Sequence, residues 1–479
     1  MSNVRHQPTA NGLRLTANRR TSKPSAGGTS RTCALVLLCS LCTWVAAYPA
    51  NPAHVFGVDA IGANPAQLAA GERFSYRFLN LQVGAGNNAF DLLQYNRYTG
   101  AYLDETAKQQ LFGSIPAQGF KLGTNVEADL LDFAIGRVGL AVRNRTAVAA
   151  TVPRDLFDLA LWGNALNRTY SASTLGGDAI SYCDATLAYG FPLPAGFQAG
   201  IGLKYYRGLF TAQNTQVDGY LLTTPYVINS QVLVGYRWAT GGNGIGFDLG
   251  ATYTPQTMFH APHSPQPTPR SPWTFALAIL DLNFGINWTQ GLQAGVASVS
   301  LDSFSVARMN DNTLQSEFLQ TPAPAFQTRL PVYVVLGASY RPQLRNSATP
   351  QLRNFLSAFT LGASVSEATA NTAFSSTIPR GTLSAEYRGL RWLPLSVDAS
   401  IGGNPWGTPA TPEYGLGLGL NLKGLTLRSR LANSGGLALA SKGVSFGLSA
   451  TYRTGVPAFS EPDRSVLELH SKPLGRNRS

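Results

Sequence analysis

From about Phe74 to Tyr452, apolar residues alternate with small or polar ones in short runs parted by turn residues. The clearest runs are Leu280-Asp281-Leu282-Asn283-Phe284-Gly285-Ile286-Asn287-Trp288 and Tyr414-Gly415-Leu416-Gly417-Leu418-Gly419-Leu420-Asn421-Leu422. Successive side chains of a strand point to opposite faces, so each run predicts a strip that is greasy on one side and polar on the other. Such strips centre on residues 74–81, 126–142, 181–190, 198–207, 231–239, 244–254, 273–288, 294–304, 331–341, 357–366, 381–388, 394–402, 413–423, 424–432 and 443–453. Two stretches read as helix instead. Asp104 caps one that Gly113 and Pro116 stop, and residues 152–164 form another, with Pro153 near its first turn and Gly163 past its end. Gly241-Gly242-Asn243-Gly244 predicts a tight hairpin turn. Pro255–Pro272, Asn310–Pro324 and Asn404–Glu413 predict loops.

A soluble sheet turns its greasy strip to a core, whereas a membrane barrel turns it to lipid and keeps the polar strip for its lumen. Three features favour lipid. Trp238, Tyr253, Trp288, Tyr340, Tyr387 and Tyr452 sit where runs end, as interfacial girdles do. The polar strips carry Asp281, Asn283, Asn287, Arg428 and Arg430, which a dry core would penalise by a few kcal/mol each and a wet lumen would not. The last run, Ser445 to Tyr452, is patterned like the assembly signal of outer-membrane barrels, although residues 453–479 follow it. The competing reading is a secreted soluble sandwich or propeller, but the internal period of soluble repeats is not visible. The expected fold is therefore all-β: an antiparallel transmembrane β-barrel of about 14 strands, the number being even as in bacterial barrels. Leu282, Phe284, Ile286, Leu416, Leu418 and Leu420 are expected to face lipid, and the five polar residues named above to line the lumen.

Residues 1–31 carry six basic residues and no acid, and Cys33–Ala47 is an apolar stretch too short to span a bilayer as a helix. With Val45 and Ala47 as small residues before Tyr48, residues 1–47 read as a signal peptide. Its removal takes six of 37 basic residues and none of 25 acids, leaving a net charge of +6 and no basic block that suggests nucleic acid. It also takes three of four cysteines, leaving Cys183 and no disulfide framework. Only 13% of residues are charged and 49 are glycine, against roughly 25% charged in an average soluble domain. The predicted organisation is a signal peptide (1–47), an N-terminal plug segment (48–72), the barrel (73–453) and a flexible periplasmic tail (454–479).

Chemical motifs are few. Gly84-Ala85-Gly86-Asn87-Asn88-Ala89 fits a loose dinucleotide pattern without the required βαβ unit. Gly443-Val444-Ser445-Phe446-Gly447 fits an esterase elbow but lies within a strand run. His260 and His263 lie in a Pro-rich stretch without a nearby acid or cysteine. No catalytic constellation, cofactor site or metal site is expected.

Gly57 to Gly62 is rich in small residues and leads into Ala63-Asn64-Pro65-Ala66-Gln67-Leu68. This stretch resembles the Asn-Pro-Ala segment that opens FadL/PorV-like outer-membrane barrels. Phe78-Leu79-Asn80-Leu81, Gly86-Asn87-Asn88, Asp91-Leu92-Leu93, Val126 to Leu131, Pro153 to Phe157 and Gly163-Asn164 resemble one subgroup of them, a family of unknown function. The resemblance implies a 14-stranded barrel in the outer membrane of a diderm bacterium, with an N-terminal segment folded inside. Gly57, Gly62, Asn64 and Pro65 are the plug or gate candidates. FadL-type members gate the passage of small hydrophobic compounds, and PorV-type members partner a protein-export system. Two functions are thus expected in contrast: a plugged channel for a small hydrophobic ligand, and a non-transporting scaffold for secreted proteins. Outer-membrane lipid is the surrounding partner in both.

Overall fold

The computed structural model describes residues 51–255, 271–304, 314–342, 355–390, 392–404, 411–422 and 424–454. The proposed signal peptide, the tail beyond Thr454 and most of the Pro255–Pro272 loop lie outside them. The strands are β1 (Glu72–Asn87), β2 (Phe120–Gly136), β3 (Val138–Val152), β4 (Thr169–Ser171), β5 (Gly176–Pro192), β6 (Phe197–Thr223), β7 (Ile228–Ala239), β8 (Gly241–Tyr253), β9 (Trp273–Asn283), β10 (Ile286–Gln290), β11 (Gln293–Phe304), β12 (Leu314–Pro322), β13 (Phe326–Thr328), β14 (Tyr333–Tyr340), β15 (Phe359–Ala368), β16 (Arg380–Tyr387), β17 (Leu395–Gly402), β18 (Thr411–Leu422), β19 (Leu425–Ser434) and β20 (Gly443–Thr454). Fourteen form a closed antiparallel wall in the order β1-β2-β3-β5-β6-β8-β9-β14-β15-β16-β17-β18-β19-β20. The seam is β20 against β1, from Phe74 opposite Thr454 to Gly86 opposite Gly443. Closure leaves no unpaired edge within the wall.

Alternation explains the wall. On β18, Tyr414, Leu416 and Leu418 are exposed on the outer surface, while Glu413, Gly415, Gly417 and Gly419 turn inward and are buried. Their outward neighbours on β17, Val397 and Ile401, are also exposed. No helix among the described residues is long and apolar enough to cross a membrane.

The other six strands raise one side of the barrel. β6 is 27 residues long; its first half pairs with β8 and its second half with β7. The runs β7–β8, β9–β10–β11 and β12–β13–β14 each continue one wall strand past the rim. The predicted hairpin at Gly241–Gly244 is therefore a joint within one descending run. Its glycines serve close approach: a Cβ on Gly242 or Gly244 would strike β10 or its lead-in. Residues 314–322, expected as loop, are strand β12. The single run expected over 126–142 is two strands, because Gly136 adopts φ +60° and Arg137 turns the chain. Ile135 and Val138 are paired across that turn and both exposed, so the apolar pattern runs through it unbroken.

The long connections gather at the raised rim. Residues 88–119 hold α1 (Leu92–Tyr98), capped by an Asp91/Gln94 capping box, and α2 (Glu105–Ser114), whose first turn is closed by Ala107 N–H donating to Asp104 Oδ1 at 2.8 Å. α3 (Arg154–Trp162) starts after Pro153 and ends at Gly163 with φ +79°.

Candidate functional site

Residues Asn51–Gly71 cross the lumen. Asn51 donates to Ala338 O on β14 (3.1 Å), Ser339 Oγ donates to Ala53 O (3.2 Å), and Val58 N–H donates to Ser75 Oγ on β1 (3.2 Å). Asn64 Nδ2 donates to Ala251 O on β8 (3.3 Å), and its Oδ1 caps the turn Pro65–Ala70 through Ala66 N–H (3.0 Å). Val58, Ala60, Ile61 and Leu68 are buried against Ala134, Ala141 and Ala188 of the wall. The wall makes room with glycine: a Cβ on Gly190, Gly200 or Gly250 would overlap the segment at Ala69, Pro65 or Asn64 respectively. Of the four residues singled out in this segment, Gly57 takes φ +56° and Gly62 lies against the Arg143 guanidinium. Asn64 is fully buried, and Pro65 begins the turn seated on Gly200.

A cavity of about 500 Å³ borders this segment. Val55, Ala63, Tyr182, Leu280, Tyr333 and Phe374 give it an apolar side. Charges surround the rest. Arg430 binds Asp398 through Nε (2.9 Å) and NH2 (2.5 Å) and reaches Glu413 (3.3 Å), which also pairs with Arg380 (2.9 Å). Gly415 lies beneath this pair, where a Cβ would collide with Asp398. The residues between β15 and β16 fold inward. Phe374 packs edge-on to Tyr182 at 5.9 Å and accepts a hydrogen bond from Tyr333 through its carbonyl (3.3 Å).

Opposite lies a drier network with Asp281 at its hub. Asp281 accepts from Lys204 Nζ (2.6 Å), Tyr206 OH (3.0 Å) and Arg145 (3.1 Å), while its own N–H donates to Asp248 Oδ1 (2.8 Å). It has φ +56° in a bulge where Leu280 and Asp281 together face Asp248. The bulge turns both side chains inward. From there Arg145 continues to Glu127 (3.3 Å) and Asp184 (3.6 Å), and Arg77 pairs with Asp129 (3.3 Å) and Asp132 (3.1 Å).

Three of the five residues expected in the lumen border the cavity: Asp281, Arg428 and Arg430. Asn283 does not; its amide donates to Asp281 O (2.6 Å) and Leu330 O (3.1 Å) and pins the break between β9 and β10. Asn287 is exposed between two fully buried neighbours, Ile286 and Trp288, so it faces outward and Ile286 inward. Gly285, at φ +82°, resets the alternation there. Trp288, expected in a girdle, is buried beside Tyr206 and donates to Thr328 Oγ1 (3.0 Å).

The segment carries one acid, Asp59. Its Oδ2 meets Arg453 (2.7 Å) and Arg428 (3.5 Å), and its Oδ1 meets Arg77 (3.3 Å). Burial pushes the Asp59 pKa up, but Arg77, Arg453 and Arg428 outweigh it and hold the carboxyl down at about 2. His54 contacts Glu386 (3.1 Å), Arg388 (3.2 Å) and Arg341 (3.3 Å). Burial pushes its pKa down and the Glu386 hydrogen bond opposes this; with Arg388 reinforcing burial, the imidazole titrates at about 4 and is neutral at pH 7. Asp59, Arg77, Arg145 and Lys204 were not singled out from the sequence. The available signal was a charged residue at an inward position of a strand run, as Arg77 is in Phe74-Ser75-Tyr76-Arg77-Phe78.

Fold and site together define a closed β-barrel filled in part by its own N-terminal segment, with a charged chamber beside it. Residues 72–233 and 227–427 match the model of DUF5723, a family of unknown function, and the chain belongs to that family. No curated protein matches the sequence significantly. Among solved structures, the chain is similar to the P. putida toluene transporter TodX, at 11% identity and a TM-score of 0.43, with 84% of this chain and 95% of that one covered. It is also similar to a Pseudomonas aeruginosa FadL homologue, at 13% identity and a TM-score of 0.46, covering 86% and 99%. A third is the CymD monoaromatic hydrocarbon channel, at 14% identity and a TM-score of 0.42, covering 85% and 95%.

Proposed function

We propose that this protein is an outer-membrane barrel plugged by residues 51–71, and that its chamber binds and passes a small compound with an apolar body and a polar or charged group. The observation that carries this is the cavity of about 500 Å³, apolar at Tyr182, Leu280, Tyr333 and Phe374 and charged elsewhere. Its size lies in the range of small-ligand sites. The exposed Leu, Val, Ile and aromatic side chains of the outer wall support a lipid surround. With the chain entering by a signal peptide, the rim bearing Glu72 and Thr454 is periplasmic and the raised rim is extracellular.

The test combines small-molecule mass spectrometry on detergent-purified protein with planar-bilayer recording of a Gly57–Ala69 deletion. The expected results are a co-purifying amphipathic compound and a deletion form that conducts ions more than wild type. A deletion form that conducts no more than wild type, with no co-purifying compound, overturns the reading.

A second reading, a scaffold for secreted proteins, is favoured by the sheet beyond the rim. Among the described residues β12 pairs with β11 alone, and Phe318 and Leu319 on it are exposed. Deleting residues 314–322 separates the two: the scaffold loses its client, and the channel keeps its ligand.

A further inference from the structure

We propose that a polar row on the outside of the barrel, carrying Arg207 and Arg329 at the base of the raised side, binds the headgroup of a phosphate-bearing lipid of the outer leaflet. This rests on the lipid surround of the proposed function and needs neither the plug nor the chamber.

Strand length sets the height of the row. On β6, Lys204 and Tyr206 are buried inside the wall, whereas Ile201, Leu203 and Tyr205 are exposed outside it. The same alternation turns Arg207 outward. On β8, Asp248 is buried inside, Ile245 and Leu249 are exposed outside, and Asn243 keeps the outward parity and is exposed. Phe197–Tyr205 and Ile245–Tyr253 are each nine residues. A tilted strand needs about 9–11 residues to cross the hydrocarbon. Arg207 and Asn243 are therefore the first polar outward residues of these two strands at its extracellular boundary.

Register carries the row around the wall. Arg207 faces Asn243, Asn243 faces Asn287 on β10, and Asn287 faces Gln327 on β13. With strands about 4.8 Å apart, the row spans about 14 Å. Phe326 and Thr328 turn inward to Trp288, and Leu330 is buried in the same cluster. Gln327 and Arg329 therefore point outward, and both are exposed.

The charge of the row is held in place without being matched. Arg207 donates to Asn243 Oδ1 (2.9 Å) and Gln290 Oε1 (3.4 Å), and Tyr205 OH donates to the same Asn243 oxygen (2.6 Å). These acceptors are neutral. Among the described residues neither Arg207 nor Arg329 pairs with a carboxylate. Inside the barrel the rule is the opposite: Arg77, Arg143, Arg145, Arg380 and Arg430 each meet an acid. Two unmatched guanidiniums above an apolar strip are complementary to a lipid whose headgroup is anionic. Phosphate oxygens suit the guanidinium fork, and a phosphate monoester carries nearly two negative charges at pH 7. The acyl chains then lie against Leu203, Tyr205 and Ile245. Two phosphates on one headgroup can meet separate arginines.

The experiment uses the full-length protein in detergent. Its probes are bisphosphoryl lipid A, the same lipid stripped of its phosphates, and inorganic phosphate, with retention read by native mass spectrometry. Wild type is expected to keep the phosphorylated lipid and shed the stripped one. Arg207→Gln and Arg329→Gln should each weaken retention about tenfold, the size of one lost charge-assisted contact, and Arg207→Lys should recover part of the loss. Lys108→Gln, on α2, should bind as wild type does. Heat-modifiable migration on gels shows that each variant remains a barrel. Quenching of a Leu203→Trp variant by brominated acyl chains in vesicles checks the lipid surround separately.

Quenching at position 203 together with equal retention of the two lipids overturns the site and leaves the lipid surround standing. So does a Arg207→Gln, Arg329→Gln double variant that binds as wild type, or a Lys108→Gln loss as large as that of Arg207→Gln. Absence of quenching overturns both. Inorganic phosphate that displaces the phosphorylated lipid mole for mole overturns the lipid assignment, because the apolar strip would then contribute nothing.

Discussion

Two arcs of the same wall follow one rule outside and two rules inside. Strands β1, β2, β3, β5 and β6 run 15–27 residues, whereas β14 to β19 run 8–12. Both arcs show Leu, Val, Ile and aromatics outward. Inside the long arc, the N-terminal segment sits on glycine and alanine, and Lys204 is 1% exposed between Asp248 and Asp281. Inside the short arc, the chamber reaches the wall, and Arg428 and Arg430 keep 41% and 33% of their side chains open. The outward face keeps one apolar period in both arcs. The inward face answers to whatever lies next to it, so a basic side chain is costly to disturb where it is buried and cheap where it is open, as Lys204 and Arg428 contrast.

Lys204→Met tests the contrast most severely. It strands Asp248 and Asp281 without their shared cation, and removing one partner of a buried pair costs about 3–5 kcal/mol. The matching change in the open arc, Arg428→Gln, should cost under about 1 kcal/mol, because water already reaches that group. Urea-driven unfolding of both variants in lipid vesicles measures the difference. Equal costs would mean that the two arcs are equally dry.

The shared outward rule is tested by Leu418→Arg, which should destabilise the barrel by about 2–4 kcal/mol if Leu418 lies near the bilayer midplane. The same assay on Asn287→Arg should show a far smaller loss, because that residue lies on β10, within the extension past the rim. A Leu418→Arg barrel as stable as wild type would argue against a lipid surround.

Acid should loosen the segment on the closed side and spare the wall. His54 falls from an unfolded pKa near 6.5 to about 4, so its neutral form contributes fully above about pH 6.5 and progressively less from there down to about 4. Asp59, held at about 2, contributes above its unfolded value of about 3.9 and loses that below it. Both act in the same direction. Taking the segment from pH 7 to pH 4 should weaken its docking by about 2–3 kcal/mol, seen as faster amide exchange over residues 54–70. Docking that strengthens on acidification would reverse the assigned charge states.

The outer face was legible in the sequence because one period of two runs along a whole strand, as Tyr414 to Leu418 shows. Legibility failed where the phase slips. The Leu280/Asp281 bulge and the reset at Gly285 put Ile286 inside and Asn287 outside, and neither event leaves a mark in a period-two pattern. The turn at Arg137 was hidden because apolar residues, Ile135 and Val138, face outward on both sides of it. The N-terminal segment was visible as a cluster of small residues with Asn64 and Pro65. Their counterparts on the wall were not, because Gly190, Gly200 and Gly250 look like any other barrel glycines until the segment is seen against them. The ion network was hidden for a further reason: Arg145 and Asp281 are 136 residues apart, and only closure of the wall makes them partners.

The contact between Asp59 and Arg453 joins the first described stretch of the chain to its last described strand. The remaining attachments of that stretch engage β1, β2, β3, β5, β6, β8, β14, β15 and β16, all earlier in the chain than β19. A chain arrested before β19 would therefore already cradle residues 51–71, yet Asp59 would face Arg77 alone. Arrival of β19 and β20 supplies the other two cations in the same step that zips β20 to β1. Pairing β20 with β1 and completing the Asp59 ion cluster are thus geometrically coupled, and a barrel without Asp59 would keep the hydrogen bonds of Asn51 and Asn64 to the wall but lose this tie to its seam.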